Sequence, residues 1–448
     1  MRTPVKIRFR SIAGLIVLSL GIGSGPALFS QSPTENATSK AGQKDELKFV
    51  VIVSRHGVRS PTGKIDQLNE YSRQPWPVWS VPPGNLTEHG ARLMTLFGAY
   101  DRELLAAQGL LAPGGCADVE HVRIVTDSDQ RTRETGKALA AGLEPGCTIQ
   151  VNALPEGTAD PLFHSMGAGI GSPDYLLAKA VISGRIGGNP EGLSEAYRPQ
   201  LAALEQVLKA CNPGADCAGR PASKSIFDIP SSLAVGKGSH LVELRTPLGT
   251  ASTMAENFLL EYAEGMTATN VGWGQVDIRK LRELIQLHTA NVDIAQRPSY
   301  IAGIQSSNLL FHVVQSMEQA ATGHTVSGAL TKTGDRVLVL AGHDTNIASI
   351  AGTLGLSWIV DGRRDDTPPG GALVFELWKS GGSAEYSVRT YYTAQTLDQM
   401  RNATPLTLAN PPERMQVYVP GCGRGDGSCD WSAFRKTVQA AINPGFVK

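Results

Sequence analysis

Net charge is the first thing this sequence lacks. Lys and Arg number 41 and Asp and Glu number 41 in 448 residues, so the formal charge is zero. A chain built to coat nucleic acid or an anionic membrane carries a basic excess, so those classes are excluded and any basic patch must be local. Internal repeats and low-complexity tracts are missing, which excludes solenoid and disordered architectures. After the N-terminal leader no long apolar run occurs, so no stable membrane association is expected of the mature chain. The cysteines show no CxxC spacing and no nearby His pair, which argues against zinc. Carboxylates and histidines form no evident divalent-cation cradle, so neither a metal nor another cofactor is expected.

What is present begins with an export signature. Arg2, Lys6, Arg8 and Arg10 precede an apolar stretch at residues 12–22, followed by Gly-, Ser- and Pro-containing sequence. That layout predicts a cleaved signal peptide over residues 1–30 and a polar lead-in over 31–46. Periplasmic or secreted location follows. Six cysteines agree: Cys116, Cys147, Cys211, Cys217, Cys422 and Cys429. Pairing between sequence neighbours is favoured, because the last two pairs each close a short loop rich in Gly, Asp or Pro; disulfides suit an oxidising compartment.

The chain is organised around residues 48–62, KFVVIVSRHGVRSPT. Phe49, Val50, Val51, Ile52 and Val53 form a β-branched apolar run without polar alternation, the pattern of a strand buried on both faces. Arg55, His56 and Arg59 follow its C-terminal end, where open α/β sheets place their ligands. Gly57 permits a tight turn and Pro61 stops regular structure. Guanidinium groups grip phosphate oxygens through paired hydrogen bonds, and a neutral histidine among them can attack phosphorus.

Two further inner strands end in polar residues. Residues 121–126 (HVRIVT) lead into Asp127, Ser128, Asp129, Gln130 and Arg131; residues 336–340 (RVLVL) lead into Gly342, His343, Asp344, Thr345 and Asn346. A helix after the latter would aim backbone N–H groups at the same crevice. Between the organising segment and residues 121–126 a helix is predicted from the N-cap Thr87, with Leu93, Leu96, Phe97, Tyr100 and Leu104 on one stripe. The Pro- and Trp-rich loop at residues 75–79 is excluded from helix and central strand. A third strand is predicted over 148–153. Helical patterns dominate from about Asp160 to Ala295, at 199–210, 251–263 and 278–295. Strands return at 372–378 and 386–392. The boundaries expected are an α/β part at 47–160, an inserted helical domain at 161–298 and a second α/β part at 299–448.

RHGVRSPT, DSDQRTRETG and AGHDTN, in that order, resemble the three motifs of the histidine acid phosphatases. The likeness runs from about Lys48 to Trp431 and is similar to the bacterial periplasmic acid phosphatase and phytase branch of the histidine phosphatase superfamily. It implies an α/β fold: a mixed-sheet, phosphoglycerate-mutase-like core flanked by helices, with an inserted, mostly helical domain. His56 resembles the nucleophile that becomes phosphohistidine. Arg55, Arg59, Arg131 and His343 match the groups that hold phosphoryl oxygens. Asp344 resembles the acid that protonates the leaving alcohol, which implies acidic working pH. The implied substrate is a small phosphomonoester, and the chain is expected to act as a monomer.

Substrate choice rests on finer features. Thr62 and the tripeptide His343-Asp344-Thr345 look like the phytase type, Glu256 resembles an acidic pocket residue, and His288 is a further lining candidate. One departure concerns Gly63, where many phytase relatives carry Lys; here Lys64 comes one position later. The rival enzymatic reading is a glucose-1-phosphatase-like enzyme. The rival of another class is a secreted phosphate-ligand-binding protein without turnover, which would have no need of Asp344.

Overall fold

The computed structural model describes residues 44–448 except 64, 213–216 and 218–222. The expected signal peptide, nearly all of the lead-in and Lys64 therefore lie outside the described residues. The strands are β1 (Glu46–Arg55), β2 (Val122–Thr126), β3 (Val151–Asn152), β4 (Ser232–Lys237), β5 (His240–Arg245), β6 (Val337–Gly342), β7 (Ile359–Val360), β8 (Arg363–Arg364), β9 (Ala372–Lys379), β10 (Tyr386–Ala394), β11 (Glu413–Gln416) and β12 (Cys429–Asp430). The helices that build the cores and the site are α1 (Glu88–Ala107), α2 (Gln130–Leu143), α3 (Arg198–Lys209), α4 (Pro247–Ala263), α5 (Ile278–Ala295), α6 (Ser299–Thr322), α7 (Asp344–Leu354) and α8 (Trp431–Ala441).

The main sheet has the order β11-β10-β9-β1-β6-β2-β3, with β12 paired to β10. It is mixed, as expected: β1, β6, β2 and β3 run parallel to one another, whereas β9, β10 and β11 pair antiparallel. The apolar run of β1 is buried on both faces for a visible reason. Val50 and Ile52 join Met94, Phe97, Tyr100, Leu139 and Leu143 of α1 and α2. Phe49, Val51 and Val53 join Leu309, Val313, Met317, Ile347 and Phe434 of α6, α7 and α8 on the opposite face. Successive side chains of a strand point to opposite faces, so each layer claims every second residue.

A further core belongs to the helices between β3 and β6, where Leu201, Leu204, Met254, Phe258, Leu281 and Leu284 pack together. The Pro- and Trp-rich loop closes this core: Trp76 stacks on Phe258 with ring centroids 4.9 Å apart. Thr87 caps α1 by accepting from the Gly90 N–H, as its sequence predicts. The cysteines pair as sequence neighbours, Cys116 with Cys147, Cys211 with Cys217 and Cys422 with Cys429.

Three features differ from the sequence reading. The strand expected at 148–153 contracts to the two-residue β3 at the sheet edge, where only β2 offers a partner. β4 and β5 form a hairpin in a stretch that reads as helical country. Its alternation is broken by Gly236, where a Cβ would strike the His240 carbonyl oxygen at 2.0 Å. The 24-residue α6 also escaped the periodicity, because buried Ser306, Ser307 and Asn308 interrupt its apolar faces. The two serine hydroxyls donate to carbonyls one turn back, and Asn308 donates to the Pro161 carbonyl at 2.9 Å.

Two buried carboxyls make the fold sensitive to pH. Burial pushes Glu261 of α4 up to about 8, although its Oε2 accepts from the Gly272 N–H at 2.9 Å. Burial also lifts Asp101 of α1 to about 7, against the pull of Arg414. A carboxyl whose folded pKa is raised binds its proton more tightly in the folded state. Its stabilisation is complete at acidic pH and declines as pH rises from the ordinary carboxyl range toward the folded value. Melting temperature should therefore fall between pH 5 and pH 8. Glu261→Gln, which keeps the acceptor oxygen, should recover on the order of 2 kcal/mol at pH 7.5 and nothing at pH 4.5. Parallel thermal melts of the two proteins check this; equal curves at both pH values would contradict it.

Candidate active site

The parallel trio β1-β6-β2 ends at one level. Arg55 is in register with Gly342, and Thr126 with Ala341. The ladder continues one residue further, since the His56 N–H donates to the Gly342 carbonyl at 2.9 Å and the Asp127 N–H to the Ala341 carbonyl at 3.0 Å. Three adjacent strands thus deliver Arg55 and His56, His343 and Asp344, and Asp127 to one crevice. Arg131 enters from the first turn of α2. The helices of the separate core supply Glu256 from α4 and His288 from α5.

Gly57 serves close packing rather than a left-handed turn. A Cβ there would meet Met94 Cγ at 2.8 Å and the Gly90 carbonyl oxygen at 2.9 Å. The loop is thereby pressed onto the start of α1, which fixes His56 and carries Arg59 back toward the crevice. His56 is 2% exposed. Its Nδ1 lies 2.8 Å from the Gly57 carbonyl oxygen, which can only accept. The proton of the neutral ring is therefore on Nδ1, and Nε2 keeps a lone pair. Burial holds the His56 pKa well below the usual histidine range, and Arg55, Arg59, His343 and Arg131 add to the effect.

The arginines are themselves balanced. Arg55, fully buried, bonds to Glu256, lies 3.3 Å from Asp344 and donates to the Thr367 carbonyl at 2.5 Å. Arg59 reaches the same Glu256 oxygen at 3.3 Å. Arg131 lies 2.5 Å from Asp129 and 3.4 Å from His343 Nδ1. The Nε–H groups of Arg55, Arg59 and Arg131 are buried and find no partner among the described residues. Burial pushes the Asp344 and Glu256 carboxyls up, but the surrounding Arg55 and Arg59 outweigh it and hold both below the usual range.

Asp127 anchors the third side. Its Oδ2 accepts from His343 Nε2 at 2.6 Å and from His164 Nε2 at 2.9 Å. Burial would lift this carboxyl, but the two histidines hold it low. Neither Asp127 nor His164 was singled out in the sequence reading. The acidic DSD segment before Arg131 was the signal for the first; a lone histidine in a loop gave none for the second. His288 packs with Nδ1 3.1 Å from Ser252 Oγ, while its buried Nε2 has no partner among the described residues. A polar atom of Glu256, of His288 and of Asp344 all lie within 4.8 Å of one another, as do those of Asp127, Asp129, His164 and His343. In both groups Arg or His cations already engage the carboxylates.

Two cavities of about 510 Å³ flank the crevice. One is lined by Gly63, Gln67, Tyr71, Arg245 and Thr253; the other by Asp129, His164, His240, Gln305 and Thr345. Thr62 stands near Arg131, both beside Gly84, where a Cβ would meet them at 3.2 and 3.7 Å. Of the candidate site residues, Arg55, His56, Arg59, Arg131, Glu256, His288, His343 and Asp344 lie together at the crevice, Thr62 stands beside Arg131, Thr345 lines the second cavity, and Lys64 lies outside the described residues.

A sheet-end crevice with converging arginines around a neutral, lone-pair-bearing imidazole defines a phosphoryl-handling enzyme of the α/β class. The family model of the histidine phosphatase superfamily (branch 2) matches residues 46–169 and 246–393, and the chain belongs to that family as a histidine acid phosphatase, a phosphoric monoester hydrolase. It is 34% identical over 418 residues to Phytase AppA of Escherichia coli (strain K12), covering 92% of this chain and 95% of the relative. It is 29% identical over 429 residues to the glucose-1-phosphatase of Providencia rettgeri, covering 93% and 97%. The structure of Hafnia alvei phytase in complex with myo-inositol hexakis sulphate is similar at 36% identity and a TM-score of 0.80, covering 92% of this chain and 100% of that one.

The Asp127–His343 bond generates a prediction. Asp127→Asn removes the negative charge that orients His343 and supports its protonation, and kcat at pH 4.5 should fall about 10- to 100-fold with the fold retained by circular dichroism. An unchanged kcat would remove Asp127 from the support of this site.

Proposed function

We propose that the chain hydrolyses phosphomonoesters at acidic pH through a phosphohistidine on His56, with phytate (myo-inositol hexakisphosphate) as a preferred substrate. The observation that carries this is the state of His56. At pH 4.5 only about 1% of a histidine with ordinary pKa is neutral. An imidazole buried among Arg55, Arg59 and Arg131 resists protonation and remains a nucleophile where most histidines are not.

The steps follow from the geometry. The phosphoryl oxygens take the N–H groups of Arg55, Arg59 and Arg131, and the Nδ1–H of His343 once that ring, held at Nε2 by Asp127, is protonated. His56 Nε2 attacks phosphorus, the P–N bond forms and the P–O bond to the alcohol breaks. Asp344 gives its proton to the departing oxygen. A carboxyl held low by Arg55 and Arg59 is a poor acid, and substrate corrects this: the phosphate charge offsets the arginines and raises the Asp344 pKa. Water then attacks phosphorus, a P–O bond forms while the P–N bond breaks and its electron pair returns to His56 Nε2, Asp344 takes the proton from the water, and inorganic phosphate leaves. Among the described residues no helix is long and apolar enough to cross a membrane, and three disulfides are formed. Export as a periplasmic or secreted enzyme accords with both.

Phytate is favoured by the phytase relatives and by the two cavities, one offering Arg245 and the other His164 and His240, which leave room for further phosphates. Gly63 favours the second reading, a sugar-phosphate phosphatase of the glucose-1-phosphatase kind, because it offers no cation to a second phosphate. The deciding assay compares phosphate release from phytate, glucose 1-phosphate and p-nitrophenyl phosphate at pH 4.5 in EDTA. Phytate should be the best substrate, and His56→Ala should abolish release from all three. Preference for glucose 1-phosphate would transfer the conclusion to the second reading.

Gly63 supplies its own prediction. A Cβ there meets nothing within 4 Å, so a larger side chain fits into the adjoining cavity. Gly63→Lys should lower KM for phytate about three- to tenfold, with a smaller change for p-nitrophenyl phosphate. Steady-state kinetics on the two substrates reads it directly.

A further inference from the structure

The cavity that holds His164 has a property the crevice alone does not explain. His164 follows Phe163 in a loop pinned by its own N–H, which donates to the Asp160 carbonyl at 2.7 Å. Its Nε2–H donates to Asp127, the carboxylate that also holds His343, and the two imidazole centroids are 5.1 Å apart. Yet the two histidines face different spaces. His343 is buried against Arg131, whereas the His164 side chain is 43% exposed and lines the 510 Å³ cavity with Asp129, His240, Gln305 and Thr345. With Nε2 committed to Asp127, the other ring nitrogen, Nδ1, has no partner among the described residues.

We infer that His164 is a specificity-determining residue: its imidazolium, oriented by Asp127, presents Nδ1–H to a second anionic group of a multiply phosphorylated substrate whose first phosphate occupies the arginine site. This rests on the phytate reading above and names the part of the chain that would deliver it. The charge on His164 decides the sign of the contact. Protonated, Nδ1–H is a donor carrying positive charge; neutral, with the proton held on Nε2 by Asp127, Nδ1 is a bare acceptor that repels a phosphate oxygen.

The groups facing His164 favour the donor form. The hydrogen bond to Asp127 raises its pKa from the usual value, burial opposes this, Asp127 and Asp129 add to the rise, and Arg131 opposes it. Asp160, on its own loop, has its carboxylate engaged by the Leu162 N–H at 2.8 Å. Asp129 would repel an anion, but it is paired with Arg131. His343 lies behind Asp127 and His240 stands across the cavity. At acidic pH the cavity wall therefore carries a cation on this side, in a chain whose Gly63 leaves the other flanking cavity without the lysine of many relatives.

The test uses myo-inositol hexakissulfate, whose charge does not change between pH 4.5 and 7.5, and inorganic sulfate, which is small enough for the arginine site alone. Calorimetry on the full chain should show hexakissulfate binding about five- to tenfold weaker in His164→Gln than in the wild type at pH 4.5. The gap should narrow as pH rises toward 7.5, His164→Lys should restore affinity at both pH values, and inorganic sulfate should discriminate far less between the proteins. Equal losses for the two ligands would mean that His164 acts only through Asp127 and His343, and would overturn the inference. Tight hexakissulfate binding that is indifferent to the Gln variant would overturn it while leaving the phytate reading intact. A wild type that binds inorganic sulfate but not hexakissulfate would sink that reading and this inference together.

Discussion

The buried positive field around His56 is the constraint on which the rest depends. Three guanidinium groups in a water-poor crevice would repel one another without counter-charges. Glu256, Asp344 and Asp129 supply these, each paired with an arginine. Removing any single partner would leave a buried charge exposed to the low local dielectric. The same field keeps His56 neutral and Asp344 ionised.

The fold serves this arrangement by rigidity at the sheet and access at its edge. Register between β1, β6 and β2 places three loop origins at one level, and backbone bonds carry the ladder past the strand ends into His56 and Asp127. The α4 and α5 helices pack into a core of their own, which includes Val58 and Leu93, so Glu256 and His288 are held against the sheet-borne residues by apolar packing. The buried acids Glu261 and Asp101 make the folded state more stable when they are protonated.

Much of this was legible in the chain. The RHGVRSPT, DSDQRTRETG and AGHDTN segments carry the crevice because chemistry limits which residues can grip a phosphate and attack it. The β1 and β6 strands announced themselves as unbroken apolar runs, since both faces of a central strand are covered. Helix α5 was readable from Leu281, Leu284, Ile285, His288 and Val292 because they share one face. The β4–β5 hairpin was not, since it is half exposed and its pattern is broken by a glycine needed for close backbone approach. Helix α6 was hidden by three polar residues whose partners are its own carbonyls and a loop distant in sequence.

The sequence by itself determined the reaction class, because its motifs depend on residue type and local order, and it favoured the neighbour pairing of the cysteines that the structure shows. Tertiary structure alone decided the protonation pattern. That Nδ1 of His56 bonds the Gly57 carbonyl, that one oxygen of Asp127 serves both His343 and His164, and that Glu256 reaches two arginines from a separate helix depend on distances between residues up to 216 positions apart. Electrostatic coupling falls with spatial separation and rises with burial, and neither quantity is written in the order of the residues.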